Sequence, residues 1–300
     1  MKIENIDDLR VIVQAARTGS LTAAARALGV TPAAASATLK RLESQMGTRL
    51  FERSTRALRL TQQGSIMVDY AQRALDLIAE GELQATEGNV ELRGTVRVSA
   101  PSDLTRTTLL PMFDDFLALH PGVHLALGVS DQPRDVVRDE VDLAIRYGEL
   151  ADSQLTARVL ALARPIVAAS PAYLEKHGTP QTPQQLLDHN CLTFNRGGRR
   201  YRLWRFARNG KWVEVRVEGD RSADDASLVS AWTVAGHGIT LRSDIDLRAD
   251  IASGRLVRIL ADWETEPYPL HALMPSARFV PQRVRALVDF LAARFKEDLP

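Results

Sequence analysis

The sequence predicts an α/β protein with an all-α, winged N-terminal domain, and three observations predict it. Between Gly19 and Gly64, helix signals and a basic hairpin follow one another at the spacing of a winged helix-turn-helix. A long, acidic, amphipathic helix pattern then runs from Thr61 to about Glu87. From Gly94 onward short β-branched runs alternate with helical stretches, the pattern of a mainly parallel α/β sheet.

The N-terminal elements follow from local chemistry. Leu9, Val11, Ile12, Val13 and Ala16 recur at helical steps, and Thr18-Gly19 stops that first helix. Ser20 caps a second helix, Leu21 to Leu28, and Gly29 ends it. Thr31-Pro32 places an N-cap and a first-turn proline at the head of a third helix, which lasts to about Met46 before Gly47. Residues 50–60 read as two short strands around a Ser-Thr turn, with Leu50, Phe51, Leu58 and Leu60 available to pack beneath the helices.

An alanine-rich helical hairpin would show the same spacing, with Ala23, Ala24, Ala25, Ala27, Ala33, Ala34, Ala35 and Ala37 as its contact residues. Charge argues against that reading. Between residues 40 and 60, Lys40, Arg41, Arg49, Arg53, Arg56 and Arg59 face only Glu43 and Glu52, in a chain whose net charge is +1. A locally basic stretch in a nearly neutral protein is a footprint for phosphate. The residues assigned to double-stranded DNA are Ser20, Thr22, Thr31, Pro32, Ala33, Ser36, Thr38, Lys40, Arg41, Arg53 and Arg56. In this set the third helix enters the major groove, and the two wing arginines take backbone or minor-groove positions.

In residues 61–90, Met67, Tyr70, Ala74, Ile78 and Leu83 recur near one stripe, while Asp69, Asp76, Glu80, Glu82 and Glu87 oppose only Arg73. Such a helix has little to bury itself against except a copy of itself. Gly81 interrupts the stripe, and Gly88-Asn89 and Gly94 supply a joint to the next domain.

The larger part reads as a strand at residues 95–99, a helix from Asp103 to Leu119, a turn at His120-Pro121-Gly122 and a strand from Val123 to Val129. A helix from Pro133 to Glu140 and a strand at 143–145 follow, and Ile166 to Ala169 opens a second such unit. Pro269 to Met274 returns as a strand, and Pro281 to Phe295 closes the chain as a helix. Ligands in open α/β sheets sit at the carboxyl ends of strands, beside helix N-termini. Those places are Pro101, Ser102 and Asp103, Ser130, Arg146, Phe194, Asp224 before the helix Ala226 to Ala235, and Thr240. Free helix N–H groups and Arg146 favour a carboxylate ligand, unless Arg146 pairs with Asp142 or Glu149.

Several function classes are disfavoured. No apolar run approaches the ~20 residues of a membrane span, and the first ten residues lack a signal-peptide core, which points to the cytoplasm. No Gly-x-Gly-x-x-Gly or Walker loop implies a nucleotide cofactor, and no Gly-x-Ser-x-Gly or paired motif supplies catalytic residues. Cys191 cannot form an internal disulfide and with His189 reads as structural; Pro121-Gly122 keeps His120 and His124 from one helix face, so no metal site is expected.

The run of Gly-Ser-Leu-Thr, two alanines, a serine in the third helix, Leu-Glu, Gly, Leu-Phe-Arg and Leu-Thr-x-x-Gly between Gly19 and Gly64 resembles the N-terminal domain of the LysR-type transcriptional regulators. GTVRVSAP at 94–101, DLAIRYGEL at 142–150, SPAYLEKHGTP at 170–180, AGHGI at 235–239 and GRLVRIL at 254–260 resemble the CrgA-like branch of that family. The resemblance implies a DNA-binding domain at 1–60, a linker and dimerisation helix at 61–90, and a two-lobed, periplasmic-binding-protein-like effector domain at 91–300. Its first lobe would be 92–161 with 267–300, and its second 162–266. It further implies a ligand-switched regulator that dimerises through the linker helix, assembles as a tetramer and works with RNA polymerase. A solute-binding protein of transport, the alternative, would need only the C-terminal two thirds.

The chain departs from the family in places. Pro32 stands where glutamine is usual and Ala37 where a basic residue is common, which removes two hydrogen-bonding base readers. Thr31, Ser36 and Thr38 remain, with the methyl groups of Ala33, Ala34 and Ala37 for thymine, so an A/T-leaning operator read partly by shape is expected. Asp224 replaces a usual asparagine, and Arg242-Ser243 an apolar–proline pair.

Overall fold

The computed structural model describes residues 3, 5–53, 58–85, 91–132, 141–148, 155–196, 199–275 and 280–298. The chain divides into two compact units, Met1–Val90 and Glu91–Pro300.

In the smaller unit, α1 (Ile6–Thr18) is capped by the Asn5 side chain, α2 (Leu21–Ala27) by Ser20, and α3 (Pro32–Met46) by Thr31. Each cap oxygen accepts an amide that the first turn leaves without a partner. Gly19 and Gly47, at φ 65° and 66°, end α1 and α3 in the left-handed region. The strands β1 (Phe51–Arg53) and β2 (Leu58–Leu60) pair antiparallel, with Phe51 opposite Leu60. Then α4 runs from Gln62 to Ala85, while the end expected near Glu87 lies outside the described residues.

Ile12, Leu39, Leu42 and Leu50 are fully buried at the centre of this unit, with Phe51 and Ala71 beside them. Of the alanines, Ala24, Ala25 and Ala35 are completely buried and let α1, α2 and α3 approach closely, whereas Ala33, Ala34 and Ala37 face outward. Leu60, expected beneath the helices, is instead exposed, although it shares a strand face with Leu58 and stands opposite the buried Phe51.

The larger unit begins with β3 (Gly94–Ala100), then α5 (Ser102–Leu104), a π-helical turn (Thr105–Leu109) and α6 (Leu110–Leu119). Pro111 has no amide to give to the Thr107 carbonyl, and the helical run widens at that point. β4 (Val123–Val129), β5 (Leu143–Tyr147), β6 (Leu155–Ala163), β7 (Pro165–Ala169) and α7 (Pro171–His177) follow. After a 3-10 helix (Pro183–Asp188) come β8 (Cys191–Arg196), β9 (Arg199–Arg200), the hairpin strands β10 (Leu203–Arg208) and β11 (Lys211–Arg216), β12 (Ser222–Ala223) and α8 (Ala226–Val234). The chain ends with β13 (Ile239–Ser243), α9 (Asp244–Ala252), β14 (Val257–Ile259), β15 (Tyr268–Pro275) and α10 (Gln282–Asp298). No helix among the described residues is long and apolar enough to cross a membrane.

These elements form two lobes around two sheets, ordered β4-β3-β5-β15-β6 and β12-β8-β13-β7-β14. The expectation of a mainly parallel sheet is corrected. β3 is parallel to β4 and β5, but β15 is antiparallel to β5 and β6; likewise β13 is parallel to β8 and antiparallel to β7. The chain leaves the first sheet after β6 and re-enters it only with β15, so the returning strand runs against its neighbours. The helix expected at 133–140 lies outside the described residues.

Each lobe has its own core, the first built on Phe113, Phe116, Leu287, Leu291 and Phe295, the second on Tyr173, Leu186, Trp204 and Phe206. Helix α9 serves both. Its Ile245 packs in the first core, and its Leu247 in a cluster of the second lobe with Ile166, Ala168 and Leu256. At the first crossover Arg164 and Asp244 exchange backbone and side-chain hydrogen bonds (2.9 and 3.0 Å), and at the second Thr265 Oγ1 donates to the Pro165 carbonyl.

Candidate functional sites: a DNA-binding face and an inter-lobe cleft

Helices α2 and α3 are joined by the turn 28–31, in which the Val30 amide donates to the Ala25 carbonyl at 3.0 Å and Gly29 takes φ 69°. That geometry is the helix-turn-helix, with α3 as the groove-reading element. Along α3, Leu39 and Leu42 anchor the inner face, while Thr31, Pro32, Ala33, Ala37 and Lys40 are exposed and Ser36 and Thr38 half-buried. Ser20 and Thr31 use their oxygens as caps and keep their hydroxyl protons; Thr22 is exposed on α2.

Arg41 behaves differently from its neighbour Lys40. Its guanidinium makes a two-pronged ion pair with Asp8 of α1, whose carboxylate is buried, and it reaches Thr38 Oγ1 at 3.5 Å. Arg41 thus braces α1 against α3 while its side chain stays about half exposed, 48%. The wing is held in a similar way: Glu43 Oε1 accepts the amides of Leu50 and Phe51 at 2.8 and 3.1 Å. Arg53 ends β1, but its side chain, and all of Arg56, lie outside the described residues.

At the C-terminal end of β3 the chain turns into α5 and meets the second lobe. Ser102 Oγ bonds Asp131 of its own lobe and Asp225 of the other (2.7 Å), and Asp131 in turn accepts the amides of Ser102 and Ala226 at 2.9 and 2.7 Å. Burial works against the Asp225 carboxylate, but hydrogen bonds from Ser227 and Ser102 hold it below the usual carboxyl range. Asp224, which the sequence reading placed in the cleft, is exposed; the next residue, the N-cap of α8, takes that place.

One turn deeper lies a buried charge network. The Arg242 guanidinium on β13 sits between Asp103 of the first lobe (3.3 Å) and Asp246 of α9 (3.0 Å), over the Phe194 ring with its centroid 5.4 Å away. Ser230 donates to Asp103, and Tyr147, from the first lobe, donates to Asp246 at 2.7 Å. Two carboxylates share one cation away from water, and desolvation exceeds their attraction to it. Burial pushes the Asp246 carboxyl up to about 7 and raises that of Asp103, with Arg242 opposing both shifts.

Of the residues assigned to the ligand, the structure thus gathers Ser102, Asp103 and Phe194 near Arg242, with Thr240 two residues before it on the same face of β13. Pro101 starts the α5 turn, and Ser130 Oγ accepts the Gln132 amide at 3.2 Å. Arg146 lies within β5, not beyond it, and bonds Ser99 Oγ and the Ile145 carbonyl. Asp131, Tyr147, Asp225, Ser230 and Asp246 are not among the residues the sequence points to, and Arg242 stands out there only as a departure from the family. Two buried polar atoms at this place have no hydrogen-bond partner, Thr240 Oγ1 and Arg242 Nε. Cys191 is inert: its thiol points at the Leu186 carbonyl, and burial pushes it up to about 12.

A winged helix-turn-helix followed by a two-lobed α/β domain with a buried polar network between its lobes is the architecture of a DNA-binding regulator with a separate binding domain. The model for bacterial regulatory helix-turn-helix proteins of the lysR family matches residues 6–65, and that for the LysR substrate binding domain matches 89–296. The chain belongs to the LysR family of transcriptional regulators. It is 33% identical to the HTH-type transcriptional regulator CrgA of Neisseria meningitidis serogroup C over 296 residues, 98% of each chain. The solved structure of CrgA from Neisseria meningitidis superimposes with a TM-score of 0.63 at 32% identity, over 97% of this chain and 99% of that one. The full-length Vibrio cholerae virulence activator AphB gives a TM-score of 0.59 at 29% identity, over 96% and 99%. The relatives are transcriptional regulators and not enzymes.

Proposed function

We propose that this regulator reads an A/T-leaning operator as an oligomer and is switched by a small carboxylate bound between the lobes. The exposed face of α3 supports the first part: it offers methyl groups and hydroxyls with Lys40 beside them, and no bidentate base reader. The apolar face of α4 supports pairing of two chains. Ile66, Tyr70, Leu77 and Ile78 are exposed on it, and Ile66 and Tyr70 line a groove of about 600 Å³ with Leu9 and Met46. A tetramer, contact with RNA polymerase and a cytoplasmic setting belong to the same proposal.

The observation that carries the ligand class is the orphaned pair in the cleft. Arg242 Nε is a buried donor without an acceptor, and Thr240 Oγ1 stands on the same strand face. A carboxylate oxygen satisfies both, and leaving them unmet costs roughly 1–3 kcal/mol each. Thermal-shift screening of the full-length protein with small carboxylates tests this. A true effector at about a hundred times its Kd adds roughly 2.7 kcal/mol of stability; no stabilisation by any carboxylate sinks the ligand class.

DNA binding is tested by gel shift across salt with fragments flanking the gene. Lys40→Ala is expected to weaken binding evenly across sequences and to lower the salt slope by about 1 per subunit, with stability unchanged. Arg41→Met is expected instead to destabilise the smaller unit by about 2–3 kcal/mol, by leaving Asp8 buried without its cation. Equal effects of the two on stability would refute this division of roles.

A further inference from the structure

A cavity of about 380 Å³ lies in the larger unit between the π-turn, α6, α9 and α10. None of the residues considered above for the effector lines it. Its volume is in the range of small-molecule pockets, about 300–1,000 Å³. One wall is apolar, with Met112, Ile245 and Phe295 continuous with the first lobe's core. The lining also holds Thr108 and two cationic residues, Arg248 on α9 and Arg294 on α10. Arg294 uses one terminal nitrogen on Asp115, but its Nε is buried and has no hydrogen-bond partner. The Arg294 side chain is 38% exposed and paired with Asp115, so the unmet group is this one N–H, for which an anion in the cavity supplies an acceptor.

We propose that this cavity is a second small-molecule site that takes an amphipathic carboxylate, its acid group at Arg294 and Arg248 and its apolar body against Met112, Ile245 and Phe295. Apolar walls select against inorganic anions, and the guanidinium groups select against neutral molecules of the same shape. The site backs onto the charge network. Thr107, on its rim, donates to the Asp103 carbonyl at 2.9 Å, and Ile245 is the neighbour of Asp246. An occupant therefore presses on the two segments that carry Asp103 and Asp246 from behind, independently of what fills the inter-lobe cleft.

The test is a fluorine-NMR titration of the full-length protein with 4-fluorobenzoate, using 4-fluorobenzyl alcohol as the uncharged comparator. Two variants accompany it: Ala249→Trp, which fills the cavity from an exposed helix position, and Arg294→Gln, which keeps a polar stem without the cation. Saturable binding of the benzoate is expected, weaker by about tenfold or more in both variants, with the alcohol weaker by a similar factor. Absence of saturable binding overturns the proposal. So does binding unchanged by Ala249→Trp, which places the probe elsewhere, the inter-lobe cleft included. Equal binding of acid and alcohol, or indifference to Arg294→Gln, overturns the carboxylate class.

Discussion

Replacing Asp246 by asparagine is expected to make the larger unit more stable at pH 8, by up to about 4 kcal/mol, and to leave it unchanged near pH 4. Asp246 is buried with its carboxyl pushed up to about 7, whereas an unfolded carboxyl titrates near 4. The folded state holds that proton across the interval and the unfolded state does not, so the contribution is complete below about pH 4 and is lost as pH rises through 7. The groups facing Asp246 are Arg242, Asp103, Tyr147 and Tyr268, with Asp131 more distant; Asp103, also raised, adds to the fall in the same direction. Asparagine keeps an acceptor for Tyr147 and Arg242 and loses the titration. Urea unfolding of both proteins at pH 5 and pH 8 checks it, and parallel stability curves for the two would reject a proton held at this site.

Gly64→Ala is expected to destabilise the smaller unit by about 3 kcal/mol or more and to abolish operator binding at 37 °C. A Cβ there would stand 1.8 Å from the Leu50 carbonyl oxygen, backbone against backbone with no side chain to swing aside. That carbonyl also accepts the Thr61 amide at 3.0 Å, so the entry to the wing and the start of α4 are sewn together at one place. Gly81→Ala is the control: a Cβ there meets nothing within 4 Å, and alanine gains roughly 0.5–1 kcal/mol in a helix. Thermal melts of both variants decide it, since equal midpoints would mean that the junction relaxes freely.

What the sequence made legible was local chemistry. Asn5 was passed over, but Ser20, Thr31, Pro32 and the glycines at 19, 29 and 47 carry their conformations in their own side chains, or in the lack of one. Partners distant along the chain were opaque. Nothing near Arg41 announces Asp8, 33 residues earlier, and so its bracing role was not legible. The cleft acid was missed by one position for a more tractable reason. Asp225-Ala226-Ser227 is an N-cap pattern, and the Asp225 side chain accepting the Ser227 amide distinguishes it from Asp224. The network around Arg242 joins β5, α5, α8, β13 and α9, and only the folded chain brings those five together.

Helix α9, with one side chain in each core, sets a rule for building chimaeric sensors from this scaffold. Exchanging the second lobe for that of a relative looks simple, since the chain crosses only near Arg164 and Thr265. A graft cut at those points imports a foreign residue at position 245 into the recipient's untouched first core. One residue inserted between positions 245 and 247 would turn the two anchors by about 100° relative to each other, so that the helix could seat only one of them. Successful grafts will therefore carry the recipient's own residue at 245 and the donor's at 247, a mosaic within three positions of a single helix.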